Sequence, residues 1–558
     1  MLDKLNPVDL SNIQDENARE LIVRLMNLIE AVSADLRDAQ AEIQRLRDEN
    51  NRLKGEQGKP NIKGNKPKPP RANYSSEQER RKPRPRRKRS KKATIKIHRE
   101  QTLEVDRGNL PEDAEFKGYE DVVVQDVIFR ADNVRFHKEK YWAYSTGKTY
   151  LAKLPLGYEG QFGPGLKALT LTLYFGGGMS EAKIRDLYEN VGLQISAGQV
   201  SNLLIKNQEQ FHIEKEEVCE AGLASTPWQH TDQTSTRVDG QNHHCNIVCN
   251  PLYTIYTTTP KKDRLSVLDV LRPGRERRFR LNEEALGYLE STPLSKATRT
   301  WLAAECSGRD WDEHTFVERL DTKWPKLNEQ QRQAILSAAA VAAYHAELST
   351  PVVRLLLCDD APQFNWITEV VALCWVHEGR HYKKLMPVFV HHLHLLSDFR
   401  KQFWDFYDEL LAYQQQPTPE ESARLDAEFD RLFSTCTGYA ALDARIAKTR
   451  AKKASLLMAL KYPEIPLHNN PAELEARQRV RKRDVSFGPR TQDGVKAWDT
   501  FMSLAATARK LNVSFYEYIH DRVSKSHQIP ALARLIEASA SERQLGASWS
   551  VAPLTPTY

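Results

Sequence analysis

Three carboxylate settings lie in order along the 558-residue chain: Asp232 in WQHTDQTSTRVDG, Asp359 in VVRLLLCDDAPQF and Glu473 in IPLHNNPAELEAR. Carboxylates are hard oxygen donors. Two aspartates and a glutamate can hold two Mg2+ ions between them, the arrangement that clamps the attacking and leaving oxygens in phosphoryl transfer. Acids this far apart in sequence meet only if separate elements deliver them to one cleft. After Asp232, the alternation of His244, Asn246 and Val248 and the run Leu252 to Thr258 predict a strand pair turning at Asn250-Pro251, with the acid on a strand edge facing a cleft. The apolar run Val352, Val353, Leu355, Leu356, Leu357 ends in Asp359-Asp360 and breaks at Pro362. That places an acid at the carboxyl end of a buried strand, where open α/β sheets bind ligands. Pro466 and the breaker Asn469-Asn470-Pro471 let Asn470 cap a helix that carries Glu473 in its first turn.

Other acids compete for two of these roles. Asp360 adjoins Asp359. Glu378, in CWVHEGRHY, follows a second apolar strand from Val370 to Val376, and its plainer reading is a strand-end residue paired with Arg380 or a neighbouring lysine. Glu475 on the same helix would point about 200° away from Glu473. Arg477, four residues beyond Glu473, can orient that carboxylate.

The segments HTDQTSTRVDGQNHH, DDAPQFNW, LCWVHEGRHYKKL and HNNPAELEAR, in this order, resemble the bacterial DDE transposases of the insertion-sequence-66 family, and the resemblance extends from the N-terminal heptads to YEYIHDR near the end. It implies an RNase H-like catalytic core with Asp232 on its first strand, Asp359 just after its fourth and Glu473 on a later helix, beyond an inserted helical domain. The chain has room for one: Phe403, Phe406, Leu410 and Leu411, then Leu425, Phe429, Leu432 and Phe433, recur at three and four around a break at Gln416-Pro417-Thr418-Pro419. Family spacing favours Asp359 over Asp360, because the family's Asp precedes an aromatic, here Phe364, by five residues. Where the family usually has Glu-Arg, this chain has Glu473-Leu474.

The activity implied is a DNA transposase that cleaves at the ends of its own insertion sequence and joins the 3′-hydroxyl to target DNA, with Asp232, Asp359 and Glu473 holding two Mg2+ ions, or Mn2+ in their place. Double-stranded DNA is the partner implied, together with accessory proteins of the same element. Two other classes stay open: a non-catalytic DNA-binding dimer, decayed or repurposed from a transposase, and a metal-dependent nuclease without strand transfer. Divalent-metal dependence separates the enzymes from the binding protein, and joined products separate transposase from nuclease.

Bulk properties agree with a large soluble nucleic-acid enzyme of several domains that stays in the cytoplasm; the resemblance implies that the cytoplasm is bacterial and the fold class multidomain α/β. No apolar run approaches the roughly 20 residues that span a bilayer, and no signal segment opens the chain. The seven cysteines are scattered and imply no disulfide framework; Cys358 and Cys374 read as small hydrophobes in apolar strands. Cys245 and Cys249 share a strand face near His243 and His244, but structural cysteines are the plainer reading there. The net charge of +7 is dominated by Arg80 to Lys92, RRKPRPRRKRSKK, without which the rest would be slightly acidic. Arg84, Arg86, Arg87, Lys88 and Arg89 in that run are candidate phosphate contacts of a basic linker.

Before the run, Ile22, Leu25, Ile29, Val32, Leu36, Ala39, Ile43, Leu46, Asn50 and Leu53 alternate at three and four, predicting a parallel coiled-coil homodimer with Asn50 at an a position. After it, Val122 to Val124, Val127 to Phe129 and Arg135-Phe136 predict a small β module; family members typically carry zinc-binding cysteines there, but the first cysteine here is Cys219. SEAKIRDLYENVGLQISAGQVSNLLIK reads as helix, turn, helix, with Gln199 and Asn202 facing outward as candidate readers of adenine edges. Near the acids, Arg380, Lys383, Arg477 and Arg481 are candidate DNA contacts that would offset repulsion between phosphate and carboxylate.

The expected organisation is therefore a coiled coil (1–56), a basic linker (57–93), the small β module (94–156), a helix-turn-helix region (157–222), the first part of the core (223–382), the helical insertion (383–465), the second part of the core with the third acid (466–525) and a tail (526–558).

Overall fold

The structure, a computed structural model, describes residues 13–54, 95, 97–106, 114–305, 308–347, 352–546 and 549. The basic run with Arg84, Arg86, Arg87, Lys88 and Arg89 lies outside the described residues. The heptad-patterned segment is one continuous helix, α1 (Glu16–Leu53). Its apolar stripe faces solvent: Leu25, Val32, Leu36, Ile43, Leu46 and Leu53 are about half exposed or more, Asn50 is exposed, and Ile22 and Ile29 are partly covered. A different face, centred on the buried Met26 and Glu30, lies against the rest of the chain.

Residues 114–139 are coil, and Val122, Val124, Val127 and Ile128 are largely exposed, so the strands expected there do not form. β-Branched residues favour a pleated surface only where a neighbouring strand and a covered face are supplied. What forms instead is a hairpin of β1 (Lys140–Ala143) and β2 (Lys148–Leu151), turned at Gly147 with φ 61°.

Helix α2 (Pro164–Leu171) runs into a π-helical turn and is followed by α3 (Glu181–Asn190), α4 (Ala197–Ile205) and α5 (Glu209–Ala224). Gly192, at φ 81°, breaks the chain between α3 and α4, and Ile184, Tyr188, Val200 and Leu204 are buried, as their helical spacing predicts.

The central sheet starts as an antiparallel meander of β3 (Trp228–Val238), β4 (Gln241–Cys249) and β5 (Thr254–Thr259). The short pair β6 (Arg278–Arg280) and β7 (Asp310–Asp312) and the alanine-rich helix α6 (Glu329–His345) follow. Then β8 (Leu355–Cys358) and β9 (Val370–Leu373) add in parallel on the other side of β3, giving the order β5-β4-β3-β8-β9. Asp232 thus sits on the central strand of the sheet and not on an edge strand, and eleven-residue β3 continues past the end of four-residue β8. Both faces of β8 are covered, Leu356 and Cys358 by the main core and Leu355 and Leu357 by a cluster with Trp228, Ala372, Tyr462 and Ile465. That is why its sequence is a continuous apolar run.

The apolar strand predicted from Val370 to Val376 ends at Leu373, and the chain turns at once into α7 (Trp375–Lys384), so Glu378 is a helix residue and not a strand-end one. Cys374 is not in the strand either; its sulfur accepts the His377 N–H as the helix cap. The hairpin expected next is α8 (Val390–Gln415) and α9 (Pro419–Leu432), with Phe403, Phe406, Leu410, Leu425, Phe429, Leu432 and Phe433 buried at its centre. Gly379 lets α7 approach α8 closely, since a Cβ there would stand 2.6 Å from the Trp404 ring. Helix α10 (Ala440–Arg450) completes this second core. It is also where α1 docks: Glu30 Oε1 accepts the Val388 and Phe389 N–H groups, supplying the cap that the start of α8 lacks, and Asn27 Oδ1 accepts the Ala440 N–H at the start of α10.

The chain returns through α11 (Asn470–Ser486), α12 (Gln492–Lys510), α13 (Phe515–Val523) and α14 (Leu532–Arg543). Helix α12 covers the β5 edge of the sheet. The carboxylate of Asp499 and the hydroxyls of Ser503 and Thr507 accept the N–H groups of Thr258, Tyr256 and Thr254 respectively.

Candidate active site

The parallel register pairs His230 of β3 with Leu357 of β8. Two residues further along stand Asp232, in mid-β3, and Asp359, just past the carboxyl end of β8, so both acids share a sheet face and a level. Asp232 is largely buried. Burial pushes its carboxyl up to about 7, the charges of Asp359 and Glu473 push the same way, and the Gln233 N–H and Lys262 oppose them. Asp359 Oδ1 is buried with no hydrogen-bond partner. Asp360, by contrast, turns outward to Lys452, at 2.5 Å.

Glu473 occupies the first turn of α11, where the helix dipole favours a carboxylate. The start of that helix is tied to β3 beside Asp232. Asn469 donates to the Thr231 carbonyl, and its Oδ1 accepts from His230 Nδ1, whose ring burial keeps neutral with a pKa of about 3. Asn469, not Asn470, is therefore the helix-start residue, and its side chain is spent on this tie and makes no cap. Its N–H is accepted by the Cys374 sulfur, which also caps α7, so α7 and α11 begin at one point. Arg380 of α7 grips Glu473 with two parallel hydrogen bonds, at 2.9 and 2.7 Å, and Arg477 stands farther off at 3.9 Å.

The other two acids are committed elsewhere. Glu378 is buried among Arg445, Thr449 and Lys452; burial alone would raise its carboxyl, yet the Thr449 hydroxyl and the two cations bring it below the usual range. Its partners are therefore neither Arg380 nor a lysine close by in sequence but Arg445 and Lys452, 67 and 74 residues away. Glu475 points to the opposite side of α11, where it accepts the Tyr256 hydroxyl at 2.6 Å.

The expected basic residues sort by their place on the helices. Arg477 and Arg481 follow Glu473 at successive turns of α11 and are exposed, whereas Arg479 is buried against Asp499 at 3.1 Å. Lys383 is exposed on the last turn of α7. Gln199 is half-buried, and its side chain closes the Ser196 capping box and also donates to Gln161; Asn202 is exposed on α4. Cys245 and Cys249 are fully buried on β4.

Among the described residues, no three His, Cys, Asp or Glu side chains stand close enough together to hold a metal ion. The pair Asp232 and Asp359 fits a divalent cation on its own terms: two hard-oxygen donors, one desolvated and one with an unpartnered buried oxygen. Glu473 does not complete the set while the Arg380 fork holds both its oxygens.

No protein-family model matches the chain. Over 324 residues, 57% of this chain and 99% of the relative, it is 33% identical to the uncharacterized protein y4jO of Sinorhizobium fredii (strain NBRC 101917 / NGR234). The chain belongs to the y4jO family. No helix among the described residues of this y4jO-family protein is long and apolar enough to cross a membrane.

Proposed function

We propose that this protein is a DDE-type DNA transposase that cuts at the ends of its own insertion sequence and joins the resulting 3′-hydroxyl to target DNA, with Asp232, Asp359 and Glu473 as its catalytic carboxylates. The observation that carries the reading is that two acids distant in sequence, Asp359 at the end of β8 and Glu473 in the first turn of α11, come close enough to Asp232 of β3 for their charges to raise its carboxyl. The sheet order, with the first strand central, three antiparallel strands and two parallel additions, supports an RNase H-like core. The buried helices between β9 and α11 stand where the insertion-sequence-66 resemblance calls for an insertion.

Two Mg2+ ions, or Mn2+, would supply Lewis-acid stabilisation of the phosphoryl oxygens and lower the pKa of the attacking hydroxyl. The chain's own residues do the rest. Asp232 and Asp359 hold donor oxygens at a fixed spacing set by the strand register, and the Asn469 tie fixes the start of the helix that carries Glu473. Arg477 and Arg481 line one face of α11 and offset the repulsion a phosphate backbone meets on approaching three acids. In this reading the enzyme works in the bacterial cytoplasm as a homodimer through the exposed stripe of α1, with accessory proteins of the same element as further partners. Asn202 and the linker arginines contribute contacts to double-stranded DNA, and the turn between α3 and α4 belongs to a helix-turn-helix.

The test is a cleavage and strand-transfer assay on labelled DNA bearing the element's ends, with Mg2+ or EDTA, for wild type, Glu473→Gln and Glu378→Gln. Metal-dependent cut and joined products should disappear with Glu473→Gln and persist per folded molecule with Glu378→Gln. Loss only with Glu378→Gln would move the third ligand. A wild type that binds but never cuts would mark a non-catalytic DNA-binding dimer, and cutting without joining would mark a nuclease.

A further inference from the structure

Of the three acids, Glu473 alone is already committed to a cation. Both its oxygens accept from the Arg380 guanidinium, at 2.9 and 2.7 Å. The two partners are unequally placed: the Glu473 side chain is 16% exposed and that of Arg380 41%. Arg380 can therefore be reached from the solvent side, where Arg477 is also exposed, while Glu473 faces inward. The fork is held by geometry on both sides, because α7 and α11 start at the shared Cys374 sulfur and Gly379 seats α7 against Trp404.

A carboxylate that fills both hydrogen bonds of a guanidinium fork has little lone-pair density left for a metal, and the guanidinium charge repels a divalent ion nearby. The same planar fork matches a phosphate as well as it matches a carboxylate. Two exchanges can therefore be coupled, Arg380 from glutamate to phosphate and Glu473 from arginine to metal.

We infer that Arg380 gates the third acid, holding Glu473 off the aspartate pair until a DNA phosphodiester takes the guanidinium. This rests on reading Asp232, Asp359 and Glu473 as a divalent-cation site. The gate keeps the full ligand set from assembling without substrate, and metal and DNA then bind with positive coupling.

The test measures Mn2+ binding by titration calorimetry on the full chain, with and without a short DNA duplex, and circular dichroism checks that each variant is folded. Without DNA, Arg380→Gln should bind Mn2+ about tenfold tighter than wild type, within the range of ordinary coupling energies. Arg380→Lys, which keeps the charge but not the fork, should fall between them. The gain should vanish in Arg380→Gln/Glu473→Gln, and duplex should tighten Mn2+ binding by wild type but not by Arg380→Gln. Binding by Arg380→Gln equal to or weaker than wild type overturns the gate and makes Arg380 a mere support for Glu473; so does a gain that survives in the double variant. If Asp232→Asn and Asp359→Asn leave Mn2+ binding untouched, the cation site itself falls, and the gate with it. If those two weaken it while Arg380→Gln changes nothing, the gate alone falls.

Discussion

At the scale of single residues, the role of a carboxylate follows from the partner it finds and not from the company it keeps in sequence. Asp359 and Asp360 are neighbours, yet one has a buried unpartnered oxygen and the other reaches out to Lys452. Glu473 and Glu475 are separated by one residue and face an arginine fork and a tyrosine hydroxyl on opposite sides of a helix. Far from this site, Glu214 of α5 shows what burial without full compensation does. One of its oxygens is buried and unbonded, Arg522 is 3.7 Å away, and burial pushes its carboxyl up to about 7 against the pull of that arginine. Between the unfolded value near 4.3 and about 7, the folded chain binds more protons than the unfolded one, so this group's contribution is intact below the lower limit and lost as pH rises to the upper. Glu214→Gln should therefore stabilise the protein by about 2 kcal/mol at pH 8 and by a fraction of that at pH 5. Denaturant titrations at both pH values check it, and a gain that is the same at each would refute the assignment.

At the scale of elements, helix α12 and strand β5 fit because their repeats nearly match. Four helical residues rise about 6 Å and two strand residues about 6.7 Å, so Asp499, Ser503 and Thr507 meet alternate N–H groups of the edge strand. Side chains thus do what another strand would do and close the edge against further pairing. Ser503→Ala leaves the Tyr256 N–H buried and unpaired and should cost about 1–3 kcal/mol, with faster hydrogen exchange at the Tyr256 amide. A loss under about 0.5 kcal/mol with unchanged exchange would show that the contact carries no weight. None of this is legible beforehand, because Asp499, Ser503 and Thr507 resemble any polar helix residues until the strand they cover is known. The strand β8 was legible, since burial on both faces leaves a continuous apolar run. The strands expected near Val122 and Val127 were misread for the converse reason: the same residue types occur there without a covered face.

At the scale of the whole molecule, α1 has two working faces. Glu30 and Asn27 fasten one to the starts of α8 and α10, and the heptad stripe on another stays open. In the proposed function its occupant is a second copy, which the heptad spacing suits. Leu25→Asp with Val32→Asp should convert a dimer to a monomer in light scattering while leaving the melting of the rest of the chain nearly unchanged, because both side chains are exposed within one chain. A wild type that is monomeric at micromolar concentration would remove the dimer from the proposed function. The docking of α1 on the α8 and α10 helices also couples any such dimer to the unit that supplies α7 and Arg380.

The sequence alone determined the periodic elements, α1, β8 and the α8–α9 hairpin, because burial writes itself into residue spacing. Breakers and strand ends flank Asp232, Asp359 and Glu473 too, but among 74 acidic residues it was the resemblance of the surrounding segments that proposed these three. Only the tertiary structure decided that β3 is central and outruns β8, that Glu378 is spent on Arg445 and Lys452, and that Arg380 grips Glu473. Those outcomes depend on contacts between residues about 70 to 130 apart, and local spacing carries no information about which distant charge a carboxylate will meet.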